Sequence, residues 1–166
     1  NGTCFTTALG AIVVHRGNLL LEAANSSAAL SGEVLGACSQ SFDERLVGLK
    51  RNPGQDYVAK RMRALLKGSL RIRAEPVPQD PYSIRCTPQV HGSLKDALDF
   101  AEKITVDEMN SVSGNPVLLE DGTVLHGGNF HAQPVAMALD LLSIALAYLG
   151  VMSLARINLL LSKTPP

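Results

Sequence analysis

The last third of the chain constrains its fold most. Residues 141–155 carry no charged side chain, and Ser143, Tyr148 and Ser153 supply the only hydroxyls; Asp140 and Arg156 bracket the run. Such a segment predicts a helix that is apolar on every side, which belongs at the centre of a bundle or at a subunit interface. It is short of the roughly 20 apolar residues that a bilayer-spanning helix needs, so no membrane partner is expected. Over the whole chain of 166 residues, 46% are apolar and 18% charged. That excludes a disordered chain and favours one that buries surface against partner chains.

The other elements follow from periodicity. Leu9, Ile12, Val13, Leu19, Leu20 and Ala23 fall at helical spacing and predict a helix over residues 6–24, with Asn25-Ser26-Ser27 as a break before a second apolar stretch. Residues 39–54 are polar and rich in turn formers. A basic amphipathic helix is expected over 55–67, with Lys60, Arg61, Arg63 and Lys67 on a solvated face. After a loop over 68–79, Asp80 followed by Pro81 reads as an N-cap and first helical position. Pro88 should end that helix early. Ser93 with Asp96 reads as a capping box that opens a second helix. Its apolar stripe (Leu94, Ala97, Leu98, Ala101, Ile104) runs to about Asn110. Two short apolar runs flank Glu120-Asp121-Gly122 and predict a hairpin. A last helix is expected over 133–161. The reading is one all-α domain over 1–166: a long-helix bundle with one small β-hairpin, oligomerising through the bundle.

Charge and cysteine content narrow the partners. The 15 basic and 15 acidic residues cancel, which argues against nucleic acid, whose phosphates require a cationic surplus. Three cysteines without CxxC spacing fit neither a disulfide framework nor a zinc site; they fit a reducing compartment, so a cytoplasmic location is expected. His126 and His131 have no thiolate or acid pair beside them, so no metal site is expected. The start, NGTCFTTALG, has neither an initiating Met nor the basic segment of a signal peptide. It does not read like a natural protein start.

Two polar clusters carry chemistry. In Gln79-Asp80-Pro81-Tyr82-Ser83-Ile84-Arg85, an amide, a phenol and a guanidinium would converge at a helix start, where Arg85 could take a carboxylate through two parallel hydrogen bonds. The plainer reading pairs Arg85 with an acid elsewhere and leaves Tyr82 to packing. In Gly127-Gly128-Asn129-Phe130-His131-Ala132-Gln133, two glycines permit close backbone approach and neutral side chains offer hydrogen bonds. A tight turn into the last helix is the plainer reading there. His91 and His15 read as structural histidines.

Taken in order, four segments resemble the aromatic amino-acid ammonia-lyase and aminomutase superfamily, in particular its histidine ammonia-lyases. They are Asn1-Gly2-Thr3, QDPYSIRCTPQVHG over 79–92, Asn110-Ser111 through Asn115-Pro116, and GGNFHAQPVA over 127–136. The resemblance covers essentially the whole chain. It implies non-oxidative elimination of ammonia from an L-amino acid by way of methylidene-imidazolone, an electrophile that these enzymes make from their own Ala-Ser-Gly segment. By that resemblance, Asn1 and Tyr82 are catalytic, Asn1 polarising the electrophile and Tyr82 lining the site. Gln79, Arg85, Asn129 and Phe130 bind substrate, with Arg85 on its carboxylate. It also implies a homotetramer whose sites draw residues from several subunits.

No Ala-Ser-Gly triad occurs in these 166 residues; Leu30-Ser31-Gly32 is the nearest match. In the family the triad precedes the Asn-Gly-Thr motif. The chain therefore reads as the central portion of a longer enzyme, inactive by itself. An aminomutase, a phenylalanine or tyrosine lyase, and a non-catalytic helical oligomerisation module are the alternatives.

Overall fold

The computed structural model describes residues 2–75 and 79–162. Asn1 lies outside the described residues. Three long helices dominate: α1 (Cys4–Leu35), α5 (Thr87–Met109) and α6 (Gln133–Leu161). Between them lie a 3₁₀ turn (Ser39–Phe42), α2 (Glu44–Gly48), α3 (Pro53–Leu65), the single turn α4 (Tyr82–Arg85) and a hairpin of β1 (Val117–Leu118) and β2 (Val124–Leu125). The expected all-α bundle with one hairpin is what forms.

α1 runs straight through the expected break. Ser26 Oγ donates to the Glu22 carbonyl and Ser31 Oγ to that of Ser27, so these hydroxyls are satisfied inside the helix instead of capping it. Asn25 is fully buried and used elsewhere. The helix stops at Gly36, whose φ of 63° permits the reversal in which Gly36 N–H donates to Glu33 O and Ala37 N–H to Gly32 O. Its length lets α1 serve two core clusters. Val14, Leu21 and Ala24 pack with Leu94, Leu98 and Ala101 of α5 and Ala138, Leu142 and Leu149 of α6. Ala28 and Ala29 pack with Phe42 and with Val58 and Met62 of α3.

α5 also differs from expectation. It starts at Thr87, with Pro88 in its first turn, where a missing N–H costs nothing. Ser93 is therefore interior and its hydroxyl donates to the Gln89 carbonyl. Asp96 caps a different helix: its carboxylate accepts the Gly54 N–H at 2.8 Å, alongside Asn52, whose side chain accepts from Gln55 N–H. This brings the start of α3 hard against α5. A Cβ at Gly92 would lie 2.5 Å from Gln55 N, so only glycine fits that crossing.

The hairpin pairs Val117 with Leu125 and Leu118 with Val124, antiparallel. Its loop is longer than a two-residue turn. Gly122, at φ 83°, donates to Leu119 O, and Leu119 N–H donates to Thr123 O. α6 spans the expected segment. By length and composition alone, α1 and α6 are long and apolar enough to cross a membrane, a test that the core helix of a bundle also passes. One side of α6 is buried by α1 and α5. Met137, Leu141, Ile144, Tyr148 and Val151 line the other, exposed.

Candidate active site

Gln79, Tyr82 and Arg85 come together around α4. Arg85 Nη1 donates to Gln79 Oε1 at 2.6 Å, and the guanidinium carbon sits 4.7 Å from the centre of the Tyr82 ring. Tyr82 is 71% exposed, with its phenol turned outward. Arg85 is half-buried, and its Nε–H is buried without a hydrogen-bond partner. Among the described residues no carboxylate pairs with it. Gln79 and Arg85 line a small cavity of about 210 Å³ with Cys38, Gln40, Ser41, Leu46 and Asp80.

Asp80 is not the expected cap. Pro81 occupies the N-cap position of α4, which has no side-chain cap. The Asp80 carboxylate turns away, accepting Cys38 N–H at 2.6 Å and Arg73 Nη2–H at 2.7 Å. A nearby guanidinium is a stronger partner than the first N–H groups of a four-residue helix. Arg73 in turn donates through Nε to Gly36 O. The segment carrying Gln79 is thereby tied to the end of α1.

The remaining motif residues meet elsewhere. Gly2, Cys4, Ser113, Gly114, Asn115, Pro116 and Phe130 line an open cleft of about 700 Å³. Asn115 Oδ1 accepts the Gly127 N–H at 2.8 Å, and Asn129 Nδ2 donates to Val112 O at 3.1 Å. The two loops are thus stitched to one another beside the start of α1. Gly2 has φ 64°, and a Cβ there would lie 2.7 Å from Ser113 O, so the cleft floor is closed to any side chain at this position. The Gln79–Arg85 cavity and this cleft share no lining residue. Within one chain, then, Gln79, Tyr82 and Arg85 converge, and neither Asn129 nor Phe130 lines their cavity.

This polar cleft, floored by bare backbone, fits a small carbonyl-bearing group such as methylidene-imidazolone. Leu30-Ser31-Gly32, the nearest match to an Ala-Ser-Gly precursor, lies inside α1, with Ser31 buried and bonded to the Ser27 carbonyl.

Behind α4 lies a buried polar network whose members the sequence read singly or not at all. His91, fully buried, donates from Nδ1 to Asn25 Oδ1 at 2.8 Å, and its Nε2 accepts from Arg156 Nη2 at 3.0 Å. Arg156 can only donate, which fixes this neutral tautomer. Burial, and then the neighbouring Arg156 charge, lower the His91 pKa to about 3. Arg156 itself is 3% exposed, and burial lowers its pKa. His91 is a satisfied structural histidine, as expected. Arg156 was noticed only as a charge at the end of the apolar run.

Comparison with known proteins agrees with the segments read from the sequence. The family model described as aromatic amino acid lyase matches residues 1–165. A histidine ammonia-lyase of Symbiobacterium thermophilum is 43% identical over 98% of this chain and 32% of its own length. Among solved structures, the tyrosine aminomutase of Streptomyces globisporus superposes with a TM-score of 0.93 at 34% identity, covering 98% of this chain and 35% of that one. The histidine ammonia-lyase of Trypanosoma cruzi does so with a TM-score of 0.87 at 37% identity, covering 98% and 30%. The chain spans about a third of the length of the curated relatives it matches.

Proposed function

The chain belongs to the aromatic amino acid lyase family, and from that premise we propose that it is the carboxylate-binding and bundle-forming part of an ammonia-lyase of the histidine type. The observation that carries this reading is Arg85. Its guanidinium is braced by the Gln79 amide and the Tyr82 ring, has a buried Nε–H without a partner, and forms no ion pair with a carboxylate of the described residues. A guanidinium so placed is ready to receive a carboxylate through charge-assisted hydrogen bonds.

In this reading, Arg85 holds the substrate carboxylate, Gln79 fixes the guanidinium plane, and the exposed Tyr82 hydroxyl lines the reacting face. Asn1 and the Gly2–Ser113 cleft would hold methylidene-imidazolone, which supplies an electrophile that makes the substrate amine a better leaving group. Phe130, at the mouth of that cleft, would contact the substrate side chain, with Asn129 close by.

We further propose that Arg85 of one copy meets the cleft of another, in a homotetramer as the family resemblance implies. The separation of the two cavities supports this, as does the exposed apolar face of α6. A cytoplasmic location belongs to the same reading.

The similarity to tyrosine aminomutase favours one second reading: elimination followed by return of ammonia to the β-carbon. The test is ammonia release by the complete gene product from L-histidine, L-phenylalanine and L-tyrosine, with β-amino acids sought in the product. Arg85→Met should raise KM on the order of a hundredfold, the loss of two charge-assisted hydrogen bonds. The isolated 166 residues should release no ammonia. Absence of turnover by the complete gene product on all three substrates would leave the oligomerisation module as the better account.

A further inference from the structure

The network behind α4 is energetically unusual. Arg156 is a buried guanidinium whose hydrogen bonds go to neutral groups: His91 Nε2 at 3.0 Å, and Thr87 and Ser153 hydroxyls at 3.5 Å. Among the described residues no carboxylate balances it. Burying an uncompensated charge is costly, and an apolar side chain of the same size would be cheaper. Its position shows what it organises. Thr87 Oγ1, which accepts from Arg156, itself donates to the Ile84 carbonyl at 2.8 Å, inside the turn that presents Tyr82 and Arg85. Ile84 is buried, so the turn is held from within. His91 brings Asn25 of α1 into the same chain of hydrogen bonds. All three long helices are therefore linked, through Thr87, to one carbonyl of a turn that is only four residues long and has no side-chain cap of its own.

We infer that Arg156 and Thr87 are positioning residues for Tyr82 and Arg85, acting through the Ile84 carbonyl and held in register by His91 and Asn25. The inference about the turn stands on this geometry alone; its kinetic consequence rests on the reading of Arg85 as the carboxylate anchor.

The decisive variant is Thr87→Val in the complete gene product, which keeps shape and removes the hydroxyl; Thr87→Ser keeps the hydroxyl and is the rescue. Two readouts separate the turn from the reaction. Amide exchange at Arg85 and Cys86, whose N–H groups bond to Pro81 O and Tyr82 O, should quicken about tenfold in Thr87→Val and stay unchanged in Thr87→Ser. KM for L-histidine should rise roughly fivefold in Thr87→Val and kcat should fall with it, because the turn that carries the Arg85 anchor also carries Tyr82. If Thr87→Val does not fold, Arg156→Lys gives the same two readouts, since it keeps the charge and cannot span His91 and Thr87 together. Faster exchange in a protein that turns over no aromatic amino acid would uphold the positioning and remove the lyase reading. Unchanged exchange in a folded variant would overturn the inference, whatever the kinetics.

Discussion

The carboxylate of Asp80 and the backbone N–H of Cys38 meet at 2.6 Å across 42 positions of sequence. The same carboxylate holds Arg73, and its side chain is 8% exposed. Asp80 is thus a tether between the end of α1 and the segment leading to Arg85. Removing it takes the charge partner from Arg73, which keeps its bond to the Gly36 carbonyl, and leaves the Cys38 N–H without its acceptor. Asp80→Ala should therefore cost about 2–4 kcal/mol of stability, measured by urea denaturation. A loss below about 1 kcal/mol would show that the tether is dispensable.

Two glycines at helix crossings should behave differently. A Cβ at Gly92 meets backbone, Gln55 N at 2.5 Å and its Cα at 2.7 Å, and relief requires α3 and α5 to separate. At Gly17 a Cβ meets one methyl of Leu98 at 2.6 Å, with its next contact at 3.8 Å, and a side-chain rotation can relieve it. Gly92→Ala should destabilise by about 2–4 kcal/mol. Gly17→Ala should cost about 1 kcal/mol or less, because alanine's helix propensity offsets part of the clash. Equal losses in thermal melts of the two variants would contradict this ordering.

These crossings also explain what the sequence could and could not reveal. The apolar stripe of α5 was legible because a helix that buries one side repeats at helical spacing whatever its neighbours are. The convergence of Gln79, Tyr82 and Arg85 was legible because all three sit within seven consecutive residues. Apart from Pro88, the misread signals were polar side chains with more than one possible partner. Asp80 carries a local capping signature, Asn25 reads as a break in the helix, and Asp96 again carries a capping signature. In the fold each answers instead to a donor far along the chain: Cys38 and Arg73, His91, and Gly54. Local propensity cannot rank a cap against a partner that only tertiary packing delivers.

His91 gives the fold an acid-sensitive element. It faces the Asn25 amide and the Arg156 guanidinium, and its pKa is lowered to about 3 by burial and by Arg156. In the unfolded chain it titrates near its ordinary 6.5. The unfolded state therefore binds a proton first as pH falls. Its contribution to stability is complete above about pH 6.5 and is lost progressively between 6.5 and 3, by about 1.4 kcal/mol per pH unit. Chemical denaturation between pH 7.5 and 4.5 should show this slope in the wild type, and it should be absent from His91→Gln. Parallel slopes for the two proteins would place the acid sensitivity elsewhere.

The two sides of α6 make neighbouring residues respond in opposite ways. Leu142 is fully buried against α1 and α5, whereas Ile144 is 57% exposed beside Tyr148 and Val151. Positions 137, 141, 144, 148 and 151 alternate spacings of four and three, the seam that packs one helix against another. A charge at 142 enters the core of the chain itself, where an unpaired carboxylate is strongly unfavourable. A charge at 144 leaves that core intact and enters only whatever covers the seam. In the complete gene product, Leu142→Glu should abolish folding. Ile144→Glu should leave helicity unchanged by circular dichroism, while sedimentation reports a smaller assembly. That smaller assembly should also lose turnover, because the Arg85 cavity of one copy would no longer meet the cleft of another. An Ile144→Glu protein of unchanged mass would mean that the α6 seam is not the subunit interface, and the shared-site arrangement would fall with it.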